Sequence, residues 1–209
     1  MTRRTTSARG FTLLELMITI GIAGLLLGIA IPSFNSFTRN ARITGPSNEI
    51  LTALYLARNE AIKRRLTTVF CFSTAPSAAL PDCAGTGATG WIVFVDTANP
   101  AVPSANDLNG KADAGEPILL RHAAIANGVT ARTLPAVNGH YVSFAASGLG
   151  RTNPTGVPVT GVVLCDSRGN TVISPPNDSA ARGVIVSPIG RSRVTRLVAE
   201  ITAPLGGCP

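Results

Sequence analysis

The sequence predicts an α+β protein: a long N-terminal helix, half of it fit to span a membrane and half amphipathic, packed on an antiparallel β-sheet head. Three observations carry that expectation. A nearly uncharged apolar run lies close to the N-terminus, a stretch with helical spacing of apolar residues follows it, and beyond Arg65 short β-branched runs alternate with Gly, Pro, Asn and Asp. The 209 residues allow one ordinary domain with an appendage. Charged residues make up 14% and hydrophobic ones 45%, too few charges for a coiled-coil rod and too much hydrophobicity for a disordered chain. The net charge is +7, and Arg3, Arg4 and Arg9, all ahead of the apolar run, supply three of those charges.

The run from Phe11 to Ile31 reads FTLLELMITIGIAGLLLGIAI, with Glu15 as its one charge. As a helix it spans roughly 31 Å, about the thickness of a bilayer's hydrocarbon core. The cationic stretch before it leaves residues 1–10 in the cytoplasm and sends the rest across. Two features speak against an ordinary cleaved signal peptide. No small-x-small cleavage pattern follows the run, which ends in IPSFNSF. A carboxylate in mid-bilayer also costs about 2.5–3.5 kcal/mol, so intramembrane acids usually have a partner. Gly24 and Gly28 form a GxxxG that lets helices approach, a weak signal in such a Gly-rich segment.

Ala8-Arg9-Gly10 followed by Phe11-Thr12-Leu13-Leu14-Glu15 resembles the processing site of type IV prepilins and type II secretion pseudopilins. The resemblance implies that a prepilin peptidase cuts between Gly10 and Phe11 on the cytoplasmic face and that Phe11 becomes N-methylated. It also implies a partner for Glu15, the terminal ammonium of a neighbouring subunit's Phe11 in the filament. A charge buried in an apolar core has to be paired, which agrees.

Pro32 is expected to kink the helix, and residues 33–65 to continue it, with Gly45-Pro46 open as a second break. Ile50, Leu51, Leu54, Ala57, Ala61 and Ile62 recur at three- and four-residue spacing and should face a sheet. Arg58, Lys63, Arg64 and Arg65 are read as a solvated face, suited to the helix C-terminus. The segment Ala57-Arg58-Asn59-Glu60-Ala61-Ile62-Lys63-Arg64 is similar to the ARxEAxKR stretch of the GspH/FimT branch of minor pilins and pseudopilins. The fold this implies is type IV pilin-like. Candidate strands are Thr68–Ser73, Gly90–Asp96, Pro117–Ala123, Val129–Leu134, His140–Ala145, Val159–Cys165, Gly183–Ser187 and Ser192–Ile201. Ala75–Gly90, Thr97–Gly115 and Asn153–Pro158 read as loops. The expected organisation is a leader over 1–10, a membrane and filament-core helix over 11–32, an amphipathic helix over 33–66 and a β-rich head over 67–209.

Cys71, Cys83, Cys165 and Cys208 are an even set in a chain expected to face an oxidising compartment. Three connectivities are open to four cysteines. Cys71–Cys83 with Cys165–Cys208 is favoured, because the first pair closes a short loop and the second ties the C-terminus to a strand. The spacing does not suit zinc, and no cofactor motif is present. His122 and His140 lie in expected strands, no nucleophile or paired-carboxylate constellation occurs, and the chain does not read as an enzyme. Asp107-Leu-Asn-Gly-Lys-Ala-Asp-Ala-Gly-Glu116 has Lys111 at what would be a ligand position and reads as an acidic turn, not a calcium loop.

Between Arg151 and Arg196 stand six Arg and two Asp. Arg191 and Arg193 flank Ser192 in an extended segment after Gly190, so both guanidinium groups should project to one side. Two forked cations on one face suit phosphate oxygens. Gly190-Arg191-Ser192-Arg193 resembles the GRxR motif of FimT-type minor pilins, which bind DNA in natural transformation. The resemblance makes Arg191 and Arg193 the DNA-contacting pair; charge and expected proximity add Arg151, Arg182 and Arg196. No aromatic residue is interleaved with these arginines, so base stacking is not indicated. The expected function is thus a minor type IV pilin that binds DNA non-specifically; the alternative is a GspH-like assembly subunit acting through protein contacts alone. The inner membrane, other pilin subunits and prepilin peptidase are the further partners implied.

Overall fold

The computed structural model describes residues 10–84, 90–97, 108, 110–125, 128–134, 141–151, 161–174, 177–203 and 205–208. Residues 1–9 of the basic leader, His140, Asp107 and the Asn153–Pro158 loop lie outside them. The chain divides into two units, residues 1–40 and 41–209.

One helix, α1, runs from Leu13 to Arg64, continuous through Gly45-Pro46. In the first unit its apolar side chains are exposed all round, Leu14, Leu25 and Ile29 each more than two-thirds so. A helix apolar on every face needs lipid or other protein around it. Its length and composition fit a membrane span. In the second unit Ile43, Ser47, Ile50, Leu54, Ala57 and Ala61 form one buried stripe. The small Ala53, Ala57 and Ala61 let the sheets approach closely. The helix ends with Arg65 at φ 57°, where the Leu66 N–H reaches back to the Ala61 carbonyl at 3.3 Å.

Two antiparallel sheets, not the single one expected, make up the head. Strands β1 (Thr67–Ser73), β2 (Gly90–Asp96), β3 (Ile118–His122) and β5 (Tyr141–Phe144) pair in the order β3-β2-β1-β5. Strands β4 (Thr130–Leu134), β6 (Gly161–Cys165), β8 (Asp178–Val186) and β7 (Val172–Ser174) pair in the order β4-β6-β8-β7, and β9 (Ser192–Leu197) pairs with β8. Alternate residues of both sheets, among them Phe70, Phe72, Trp91, Val142, Leu164 and Val184, meet the helix stripe in one core. On its outer face the first sheet is covered by Ala112 and Cys83, and the second by Ile201, Leu205 and Cys208.

The strands depart from expectation in three places. Strand β8 begins at Asp178, not Gly183, because Ala180 and Ala181, poor strand formers, are fully buried there. Strand β7 has no counterpart among the expected strands, being three exposed residues long. The stretch expected as a strand to Ile201 leaves the sheet at Leu197 and forms a short helix α2, Val198–Thr202, which buries Ile201 against the outer face of the second sheet. Disulfides join Cys71 to Cys83 and Cys165 to Cys208.

Candidate nucleic-acid interface

The turn between β8 and β9 is closed locally. The Ser187 N–H donates to the Arg191 carbonyl at 2.8 Å, and the Gly190 N–H to the Ser187 carbonyl at 2.8 Å. Gly190 sits at φ 75°, a left-handed conformation that favours glycine, and a Cβ there would overlap the Gly148 carbonyl oxygen. The Gly150 N–H donates to the Pro188 carbonyl at 3.0 Å, so the two loops abut. Helix α1 fastens both. Arg58 donates from Nε to the Gly148 carbonyl at 3.0 Å and from Nη2 to the Ile189 carbonyl at 3.2 Å. One turn earlier, the Tyr55 hydroxyl donates to the Ser192 carbonyl at 2.9 Å. Arg58 is therefore a clamp between loops and not part of a solvated face. Lys63 and Arg64, by contrast, pair with Glu60 on the helix surface.

Arg191 and Arg193 both project outward and line an open cavity of about 590 Å³ with Tyr55, Arg58, Ile185 and Ile189. Among the described residues the Arg191 guanidinium has no ion-pair or hydrogen-bond partner. Arg193 is differently placed. It makes a two-pronged contact with Glu200 of α2, Nη1 to Oε2 at 2.9 Å and Nη2 to Oε1 at 2.6 Å. The Thr195 hydroxyl donates to the same carboxylate. Hydrogen bonds from Arg193 and Thr195 hold Glu200 down to about 2. Sequence reasoning missed Glu200, because the expected strand to Ile201 gave it no reason to fold back.

The other three arginines lie apart from the cavity. Arg196 is exposed, with Nη1 3.8 Å from Asp178 Oδ2. Arg151 is half-buried and donates to the Thr67 hydroxyl at 3.1 Å. Arg182 contradicts its reading as a DNA contact, since it is buried to 1% exposure. The β8–β9 pairing shifts register between Asp178 and Gly183. Along that stretch Arg182 Nη1 donates to the carbonyls of Ser179, Ala180 and Ala181. Burial first, then the like charges of Arg196 and Arg168, lowers its pKa. An inward residue of a central strand cannot reach a phosphate backbone.

Interleaving of aromatics along the chain is absent, yet the fold brings Tyr55 from α1 beside Arg191 and Arg193. Nothing in the local sequence could signal this, as Tyr55 and Ser192 are 137 residues apart.

At the N-terminal end, Gly10 and Phe11 are exposed. Glu15 accepts from the Thr12 N–H at 3.2 Å and the Thr12 hydroxyl at 3.1 Å, while its own N–H donates to Thr12 Oγ1 at 3.2 Å. This is a reciprocal capping box with the local signature Thr-x-x-Glu. His122 stacks on Trp91 with ring centroids 3.7 Å apart, and its Nε2 lies 3.3 Å from Glu49. Asp96 is buried and accepts from the Gly110 N–H at 2.9 Å. Burial pushes it up to about 6; the Gly110 N–H opposes the rise and the Glu116 carboxylate adds to it. Glu116 in turn accepts from the Thr97 and Asp113 N–H groups, closing the acidic turn.

Comparison with known proteins gives two family matches. Residues 47–190 match the family described as type II transport protein GspH, and residues 5–31 match the prokaryotic N-terminal methylation motif. Pilin-like protein PilA1 of Thermus thermophilus is 28% identical over 193 residues, covering 89% of this chain and 97% of that protein. A fimbrial protein of Pseudomonas aeruginosa is 43% identical over 54 residues, 26% of this chain and 34% of that one. Among solved structures, the type IV minor pilin FimU of P. aeruginosa superposes with a TM-score of 0.47 at 16% identity, over 76% of this chain and 92% of its own.

Proposed function

Given that this chain belongs to the GspH family of minor type IV pilins and pseudopilins, we propose that it is a filament subunit whose head binds DNA non-specifically during DNA uptake, through Arg191 and Arg193. Prepilin peptidase cuts between Gly10 and Phe11 on the cytoplasmic face, and Phe11 is methylated. The helix over 11–32 holds the subunit in the inner membrane before assembly. In the filament Glu15 leaves its capping contact with Thr12 and meets the terminal ammonium of a neighbour's Phe11.

The observation that carries the DNA reading is Arg191, an exposed guanidinium with no partner among the described residues, on the rim of an open cavity beside Arg193. A fork-shaped cation free of local acids is available to two phosphate oxygens without first breaking an ion pair. Binding through so few phosphates is weak, sequence-independent and steeply salt-dependent. The test is a duplex-binding titration of the full chain in neutral detergent. Binding at low salt that is lost in Arg191→Ala with Arg193→Ala supports the reading.

A second reading rests on the Arg193–Glu200 pair, which matches that charge within the subunit. In it the arginines hold the head together and the protein acts as a pilus or secretion-filament assembly subunit without a DNA role. Absence of duplex binding in the wild type, or binding that survives the double substitution, leaves this one standing.

A further inference from the structure

We propose that the cavity between α1 and the β8–β9 turn is a nucleobase site, so that the head prefers single-stranded over double-stranded nucleic acid; this rests on the DNA reading above. Phosphate contact alone requires only a cationic rim. Here the rim borders an open cavity of about 590 Å³, room for a flat ring. Its wall carries Tyr55, Ile185 and Ile189, and its edge Arg58, Arg191 and Arg193.

Tyr55 is suited to stacking on two counts. The residue remains 44% exposed. Its hydroxyl is tied to the Ser192 carbonyl at 2.9 Å, which holds the ring in place before any ligand arrives. Ile189 is 56% exposed on the turn opposite and offers apolar surface to a second face. Arg58 is spent on two carbonyls and keeps the turn in position. Arg191 is then left to engage a flanking phosphate. A cationic groove with an aromatic platform is how proteins bind unpaired strands, because every base presents a π-face. In a duplex the bases are stacked on one another and cannot enter.

The experiment is fluorescence anisotropy of the full chain in neutral detergent, at low salt. Three labelled probes of equal phosphate count are compared: an oligothymidylate of about 20 nucleotides, longer than the ~4–16 nucleotides single-strand modules cover, an abasic strand of the same length, and a duplex. The expected result is oligothymidylate binding roughly five- to 150-fold tighter than the abasic strand, and tighter than the duplex. Tyr55→Leu removes that preference and Tyr55→Phe keeps it. The comparison of thymidylate with the abasic strand needs no variant, so a misfolded Tyr55→Leu does not spare the proposal. Equal affinity for those two strands overturns the base site while leaving the phosphate reading intact. Displacement of oligothymidylate by polyglutamate at equal charge concentration overturns it too, and assigns the cavity to carboxylates of a protein partner. Binding of no probe at all overturns both this inference and the DNA reading beneath it.

Discussion

Replacing Gly190 by Ala tests whether the arginine turn is held where it is by the close approach of two loops. The backbone at φ 75° alone costs an L side chain about 1–2 kcal/mol. The new Cβ also overlaps the Gly148 carbonyl oxygen, so one loop must move. Moving either stretches the Arg58 hydrogen bonds to Gly148 and Ile189, partly exposed and worth about 1–2 kcal/mol together. The sum is about 2–4 kcal/mol, a fall in melting temperature of roughly 5–15 °C for a chain of this size. Thermal unfolding in neutral detergent, followed by near-ultraviolet circular dichroism of the buried Trp91, reads it. Gly115→Ala is the internal control, since Gly115 also has positive φ but a Cβ there meets nothing within 4 Å. The control should lose only the conformational part, about 1–2 kcal/mol. If Gly190→Ala were no more destabilising than Gly115→Ala, the argument that Gly148 dictates glycine at this position would be refuted.

Glu200→Gln removes the carboxylate that Arg193 must leave to meet a phosphate, so duplex binding at low salt should tighten; an affinity equal to the wild type's means Arg193 makes no such contact. Asp96→Asn should alter stability in a pH-dependent way. Asp96 titrates near 6 in the fold against an ordinary value of 3.8, so wild-type stability from this group is highest below 3.8 and falls as pH rises to about 6. The variant lacks that fall and should gain about 3 kcal/mol over wild type between acid and neutral pH, read by urea unfolding across the range; a constant difference refutes the buried-carboxyl account. Serine replacement of the Cys165–Cys208 bridge, spanning 43 residues, should destabilise by about 4 kcal/mol, and of Cys71–Cys83, spanning 12, by about 3. Denaturant midpoints in the reverse order would contradict the loop-entropy reasoning.

Much of the stem and core was legible in the chain because the signals there are local. The Phe11–Ile31 run is apolar at every face, so neither its helical state nor its need for a nonaqueous surrounding depends on what lies elsewhere. Ile50, Leu54, Ala57 and Ala61 announce a buried stripe by spacing alone, and all four are buried. Gly90–Asp96, dense in β-branched and aromatic residues, is a strand over those same bounds. Where composition and environment disagree the reading failed. Asp178–Arg182 has the residues of a loop and lies in a central strand.

The candidate site divides along the same line. Which residues carry forked cations, and the shared side of Arg191 and Arg193 across Ser192, can be read along the chain. Packing is what turns Arg182 inward, returns Glu200 on α2 to meet Arg193, and brings Tyr55 and Arg58 from α1 to wall the cavity. The reason is distance along the chain. Hydropathy and periodicity are properties of neighbours, whereas a guanidinium's partner is set by whichever segment the core packing places next to it.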